Sequence, residues 1–242
     1  MKKRNYSIDI ARGVACLAVV AGHIPELPNV LHSWVYSFHI PLFFIISGMV
    51  LKTSEKPSIF IEKRIRGLLV PYLLLNISVW LLETIFRLAA GIVGFRTVDF
   101  NIIKDEFIGI FVGYRLTLYY YILWFVIALF FASILAYAIL RLVKKWLSVT
   151  LIAVSLIVIN AVIWRFVKGA PLSLDIIPLA TGYILIGNSF INKVLGLFQR
   201  KYLLIGISLL TCNFILSVVG ASKYGKVDLY SCKMGGGMAI ID

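Results

Sequence analysis

Charge is scarce along this chain. Asp, Glu, Lys and Arg together make 14% of its 242 residues, against 61% hydrophobic. A soluble domain of this size needs more polar surface than that to coat its core. Acidic residues are scarcer still, 11 against 24 Lys and Arg. The resulting charge of +13 does not read as a nucleic-acid surface, because the cations stand in short clusters between apolar stretches, as they do in cytoplasmic membrane loops. The three cysteines form no framework: Cys16 and Cys212 fall inside apolar stretches, Cys232 lies in the tail, and no spacing suits a disulfide set or a metal. There is no internal repeat and no low-complexity tract. A cleavable leader is not expected, since Asp9 and Arg12 interrupt the first apolar stretch and no small-residue cleavage site follows. Period-two alternation is missing as well, which argues against barrel strands.

Long apolar runs are what the chain has instead, with a mean hydropathy of +0.96. A hydrocarbon core of about 30 Å needs roughly 20 helical residues. Candidate spans are 8–24, 35–51, 67–90, 118–140, 147–164, 173–191 and 203–220. The expected fold is therefore all-α, a polytopic transmembrane helix bundle of about seven spans over residues 1–220, with a polar, Gly-containing tail at 221–242. Placing the N-terminus in the cytoplasm puts fourteen Lys and Arg in the inside pieces and eight in the outside ones, which favours that orientation. The connection 91–117 carries Phe100, Ile103, Phe107, Ile110 and Phe111 at helical spacing, with Asn101, Lys104 and Asp105 off the stripe. It reads as an amphipathic helix lying in the outer interface.

Polar residues inside a membrane are expensive, so each needs an account. Arg12 and His23 are eleven residues apart, close to three helical turns, which puts them on one face about 16 Å apart along the axis. Asp9, one turn before Arg12, is placed to pair with it. Taken alone, these are a snorkelling arginine and an interfacial histidine. His39 adds to them: the loop after His23 is short, so the second span brings His39 back near the same level, with Pro41 in its first turn where a proline costs least. Two imidazoles at one depth suit proton transfer. Metal binding suits them less, because no carboxylate or third ligand is near. Lys63, Arg64 and Arg66 at a cytoplasmic face fit phosphate groups, or equally membrane topology and lipid headgroups. Glu83 and Arg87 are an i,i+4 pair with the acid first, more readily structural than acceptor-binding, and Asp175 near the outer end of the sixth span has the same ambiguity. Tyr119, Tyr120, Tyr121 and Trp124 read as an interfacial aromatic belt or as rings for stacking on a sugar.

In order and spacing these elements resemble the acyltransferase-3 family, membrane O-acyltransferases that modify bacterial surface sugars and related acceptors, including its fucose 4-O-acetylase-like members. The likeness rests on Asp9, Arg12, Gly13 and His23; on Phe38-His39-Ile40-Pro41-Leu42-Phe43-Phe44 with Ser47-Gly48; and on Lys63 to Arg66 followed by Leu68-Leu69, Pro71 and Tyr72. Looser echoes lie at 124–130 and at Ile177-Pro178, Tyr183 and Gly187, so the resemblance runs from about residue 9 to 190. It implies acetyl-CoA or another acyl-CoA as donor, entering from the cytoplasm, its phosphates held by Arg12, Lys63, Arg64 and Arg66. It implies His23 as general base and His39 as a group that orients the acceptor or stabilises charge. Glu83, Arg87, Asp175 and Trp124 are the acceptor contacts that fit it, the acceptor being a carbohydrate or lipid-linked sugar, with no metal and no nucleic acid. The setting implied is a multi-pass protein among the lipids of a bacterial-type cell membrane. Family members commonly have more spans, so the likeness also implies an incomplete copy. A transporter or flippase with an intramembrane His/Arg pathway is the alternative, although no inverted repeat is visible; a non-catalytic membrane module is a third.

Overall fold

A computed structural model of the chain describes residues 6–24, 27–95, 97–112, 120–163, 166, 170–193, 211–216 and 218–219. No strand occurs among them. The helices are α1 Tyr6–Gly22, α2 Asn29–Val50, α3 Pro57–Arg64, α4 Val70–Ile92, α5 Phe100–Val112, α6 Tyr120–Leu142, α7 Trp146–Ile163 and α8 Ile177–Lys193. A π-helical turn, Ile65–Leu69, joins α3 to α4, and a short 3₁₀ turn, Pro171–Ser173, precedes α8. Pro57 stands in the first turn of α3, where the missing N–H has no intrahelical partner to lose, and Pro71 directly follows the π-turn that carries α3 into α4.

Five helical stretches among the described residues are long and apolar enough to cross a membrane: Asn29–Val50, Pro57–Ile92, Leu123–Leu142, Trp146–Ile163 and Pro171–Ser189. They correspond to the second through sixth expected spans. α1 has 17 residues, roughly 25 Å of helix, and carries Asp9 and Arg12. The seventh expected span, 203–220, and the tail 221–242 lie largely outside the described residues. Two expectations change. α2 begins at Asn29 rather than near 35, so Pro41 sits in the helix interior, where it cannot donate to the Ser37 carbonyl. The connection 91–117 does hold a helix, α5, but it packs back along α4.

The contacts separate into two compact units. The first comprises Met1–Leu51, Lys145–Ala153 and Tyr183–Asp242. Within it α1 and α2 form a hairpin. Ala15, Ala18 and Gly22, at i, i+3 and i+7, are the buried stripe of α1, while Ile10, Leu17 and Val20 point outward. Such small residues let two helices approach closely where lipid supplies no hydrophobic drive. Gly22 shows how closely: a Cβ there would come within 2.8 Å of the Tyr36 ring. α2 and α8 approach closer still. A Cβ on Gly48 would overlap the Ile184 carbonyl oxygen, and a Cβ on Gly187 would overlap that of Ile45. The same approach lets Asn188 Nδ2 donate to the carbonyls of Gly48 at 3.2 Å and Leu51 at 3.3 Å at the end of α2, where the Gly48 carbonyl also accepts the Leu51 N–H at 3.2 Å.

The second unit comprises Lys52–Lys144 and Val154–Gly182. Its α4 is inverted relative to a water-soluble helix. Leu74, Leu75, Leu81, Leu82, Ile85 and Phe86 are exposed, while Tyr72 and Asn76 are buried. With Trp80, Glu83 and Arg87 they make one polar stripe, and α5 lies against it. Tyr72 donates to the Ile110 carbonyl at 2.9 Å and Trp80 Nε1 to that of Ile103 at 3.0 Å. Ile110 stands in the last turn of α5. On α6 the buried stripe is Ala128, Ala132 and Ala136. Asn160 on α7 accepts from the Leu179 N–H at 3.2 Å, in the first turn of α8.

The Gly48–Gly187 crossing gives a direct test. Gly48→Ala or Gly187→Ala forces α2 and α8 apart and is expected to cost about 1–3 kcal/mol or more. Nothing lies within 4 Å of a Cβ at Gly13, so Gly13→Ala in the same helical class is expected to be neutral or stabilising by up to about 1 kcal/mol. Thermal unfolding of the three variants in one detergent separates them; equal midpoints would mean the crossing is not this close.

Candidate active site

The two histidines singled out by spacing share a local geometry. His23 follows the last residue of α1, and its Nδ1 lies 2.8 Å from the Val19 carbonyl. His39 is in α2, only 2% exposed, with Nδ1 2.7 Å from the Val35 carbonyl. A carbonyl only accepts, so in each ring Nδ1 donates its proton four residues back along the helix. The neutral ring then carries its lone pair on Nε2, the nitrogen able to act as a base. Arg12 shares His23's face of α1 and is half exposed, with Asp9 at 4.0 Å. An exposed helix pair of that kind is worth about 0.3–0.5 kcal/mol, too little to withhold the guanidinium from a ligand.

The link between His23 and His39 runs through Tyr36. Gly22, the neighbour of His23, packs on the Tyr36 ring. That ring meets His39 edge-on at 4.9 Å and stacks on His32 at 4.1 Å with 15° between planes. His39 is three residues past Tyr36, about 4.5 Å further along α2, so the two candidate histidines belong to the same end of the hairpin. Tyr36 and His32 were missed from the sequence, although His32, Tyr36 and His39 stand at i, i+4 and i+7. Ser37 adds a donor, reaching the Trp34 carbonyl at 2.7 Å and Asn213 Oδ1 at 3.1 Å.

The second unit holds the basic triplet. Lys63 pairs with Glu55 at 2.8 Å and Arg66 with Glu62 at 2.7 Å, both cations on exposed side chains. Arg64 lies over the Phe60 ring, its Cζ 5.0 Å from the centroid. The 36-residue helical run Pro57–Ile92 would reach about 54 Å, well beyond a hydrocarbon core of about 30 Å, so its charged first turns stand outside that core. The Lys63 hydrogen bond, aided by the charges of Lys63, Lys52 and Arg64, holds the Glu55 carboxyl below its ordinary value of 4.5 against an opposing effect of burial.

Of the residues expected to meet an acceptor, Glu83 and Arg87 are together, at 3.0 Å. Arg87 also pairs with Glu106 at 2.8 Å. Glu106 escaped notice because the 91–117 segment was expected to lie flat rather than along α4. A cavity of about 150 Å³ beside them is lined by Arg87, Thr97, Val98, Asp99 and Ile102. Trp124 on α6 is buried, which removes it from an interfacial belt. Asp175 is also buried, two residues before α8 and just after Leu172 and Ser173, whose φ values of 53° and 54° are positive. Tyr119 and the side chains of Tyr120 and Tyr121 lie outside the described residues. No group of three or more His, Cys, Asp or Glu among the described residues is placed to hold a metal ion.

The model of the acyltransferase-3 family, described as an acyltransferase domain, matches residues 5–233. No curated protein and no solved structure matches the chain.

The Glu55–Lys63 pair has a pH signature. A carboxyl whose folded value is depressed stabilises the fold above its unfolded value, near 4.5, and loses that contribution as pH falls through the lower folded value. Glu55→Gln is therefore expected to lower the unfolding midpoint at pH 7, with the difference from the parent shrinking towards zero as pH falls through that lower folded value. A gap between the two proteins that stays constant down the acid limb would show the pair contributes nothing through charge.

Proposed function

This chain belongs to the acyltransferase-3 family, and from that premise we propose that it moves an acyl group, most simply acetyl, from acyl-CoA to a hydroxyl of a cell-surface carbohydrate or lipid-linked sugar. The observation that carries this reading is the pairing of His23 and Arg12 on one face of α1. His23 keeps its Nε2 lone pair because Nδ1 donates to Val19, and Arg12 stands about 16 Å back along the helix. In this reading the N-terminus is cytoplasmic, Arg12 receives phosphate from the donor, and the acyl thioester extends outward along α1 to His23. Lys63, Arg64 and Arg66 are assigned to donor phosphates on the strength of the family resemblance. The protein is a multi-pass resident of a bacterial-type membrane.

The chemistry follows from the free nitrogen. His23 Nε2 takes the proton of the acceptor hydroxyl while its oxygen attacks the thioester carbonyl carbon. The tetrahedral species collapses with loss of the C–S bond, and the proton on His23 passes to the departing thiolate, giving an ester and free CoA. His39, buried beside Tyr36, orients the acceptor or the Tyr36 hydroxyl rather than carrying the proton. Glu83 and Arg87 are assigned to acceptor contacts on the strength of the family resemblance.

One observation favours the transporter reading, the enclosure of His39 in a membrane-crossing helix. The two are told apart by acyl-CoA consumption. Incubating the purified protein with labelled acetyl-CoA and a panel of hydroxyl acceptors should give labelled ester. His23→Ala is expected to lower kcat by about 10²–10⁴-fold with folding intact. Arg66→Ala is expected to raise KM for acyl-CoA more than it lowers kcat. Wild-type turnover by His23→Ala would remove the base assignment, and flux without acyl-CoA consumption would favour transport.

A further inference from the structure

The Arg64 side chain belongs to a larger construction. Phe60 and Tyr137 are both buried and lie parallel, with centroids 4.2 Å apart and 13° between planes. Arg64 sits over Phe60 at 5.0 Å, and Arg141, in the last turn of α6, sits over Tyr137 at 5.9 Å. The two rings thus carry one guanidinium each. Tyr137 also donates to the Glu55 carbonyl at 2.6 Å, and Arg141 Nη1 reaches the Thr53 carbonyl at 3.3 Å. Segment 52–56, α3 and the end of α6 are therefore fixed to one another by the stack and two main-chain contacts.

The charges in this region do not balance. Residues 52–66 and 141–144 hold seven Lys and Arg but only two carboxylates, Glu55 and Glu62. Those two are engaged by Lys63 and Arg66. Among the described residues no carboxylate stands within ion-pair distance of Arg64 or Arg141. An aromatic face orients a guanidinium through its quadrupole, and leaves the charge and the in-plane N–H donors available. Two oriented guanidinium groups with no carboxylate within ion-pair distance, beside further lysines, suit a ligand that brings several anionic oxygens, and phosphate geometry matches the guanidinium fork.

We propose that Arg64 and Arg141, mounted on the Phe60–Tyr137 stack, form a phosphate-binding site for the acyl donor, with Tyr137 as its positioning residue. The proposal rests on the reading that the donor is an acyl-CoA, and it extends the donor contacts from α3 to α6. Tyr137 touches no donor atom. It acts by holding Phe60, and through it Arg64, and by tying the 52–56 segment in place.

The test uses the whole protein in phosphatidylcholine nanodiscs, with CoA itself as the binding probe and acetyl-CoA in the transfer assay. Arg141→Gln is expected to weaken CoA binding about tenfold, the scale of one charge-assisted contact, and to raise KM for acetyl-CoA more than it lowers kcat. Tyr137→Leu should match Arg64→Gln in CoA affinity, and Tyr137→Phe, which keeps the stack and loses only the hydroxyl, should recover most of that loss. If Tyr137→Leu fails to fold, Arg141→Gln on the exposed rim still decides. CoA affinity unchanged in Arg141→Gln, while Arg66→Ala weakens it, would overturn this site and leave the donor reading standing. No CoA binding by the folded parent would overturn the donor reading and the site with it. An effect of Arg141→Gln seen only as altered thermal stability in phosphatidylglycerol nanodiscs would give the site to lipid phosphate and overturn its assignment to the donor.

Discussion

Hydrocarbon offers a polar group nothing to bond with, and an amide or hydroxyl left unmet there costs roughly 2–7 kcal/mol. That constraint explains where several polar side chains of this protein point. Asn76 donates to the Tyr72 carbonyl one turn back at 2.8 Å, Tyr72 to Ile110, Trp80 to Ile103, and Asn188 to Gly48 and Leu51. His39 follows the same rule with Val35, and His23 with Val19 at the end of its helix. The acceptor is a main-chain carbonyl each time, because carbonyls have a second lone pair that the helix does not use. A side chain closing onto its own or a neighbouring helix thus settles its polar group and at the same time fixes its orientation. For an imidazole, orientation also means tautomer.

Close helix approach makes this possible. Asn188 reaches the α2 carbonyls only because Gly48 and Gly187 let the two backbones touch. α2 is held at its C-terminal end by that crossing and near its start by Gly22 against Tyr36, with His39 between the two fixed points. Pro41, just beyond His39, withholds an N–H from the Ser37 carbonyl, so rigidity there must come from packing rather than from the ladder. Packing by small residues therefore serves the candidate chemistry directly, with Gly48 part of the scaffold around His39.

Most of the helical architecture was legible because apolar runs of about 20 residues have few other uses. The Arg12–His23 face and the Glu83–Arg87 pair were legible because both depend only on helical periodicity. What periodicity cannot show is which helix lies against which. The stripe Phe100, Ile103, Phe107, Ile110, Phe111 announces an amphipathic helix, yet its partner is α4: Ile103 and Ile110 are buried against it, Phe107 leans on Trp80 at 4.9 Å, and Phe100 and Phe111 stay outside. Glu106, Tyr36 and Tyr137 were invisible for the same reason, since each acquires its role from a residue on another element. Trp124 misled through composition: an aromatic close to a span's end suggests a belt, and only packing reveals that it faces inward.

The contrast between the two histidines bears on how they divide the work. Both present Nε2, so both are competent bases by tautomer alone. Accepting a proton, however, puts a charge on the ring, and a charge is tolerated only where water, a substrate or a counter-ion can answer it. His23 is exposed at the end of α1 and shares its helix face with Arg12. His39 is enclosed, edge-on to Tyr36, in a ring ladder that also takes in His32. The ladder holds His39 in one orientation, which favours a fixed hydrogen-bonding role, while the freer ring of His23 suits the proposed cycle of taking a proton from a hydroxyl and returning it to a thiolate. In the proposed reaction the same structural device, a ring N–H closed onto the carbonyl four residues back, serves one residue as preparation for proton transfer and the other as a means of staying still.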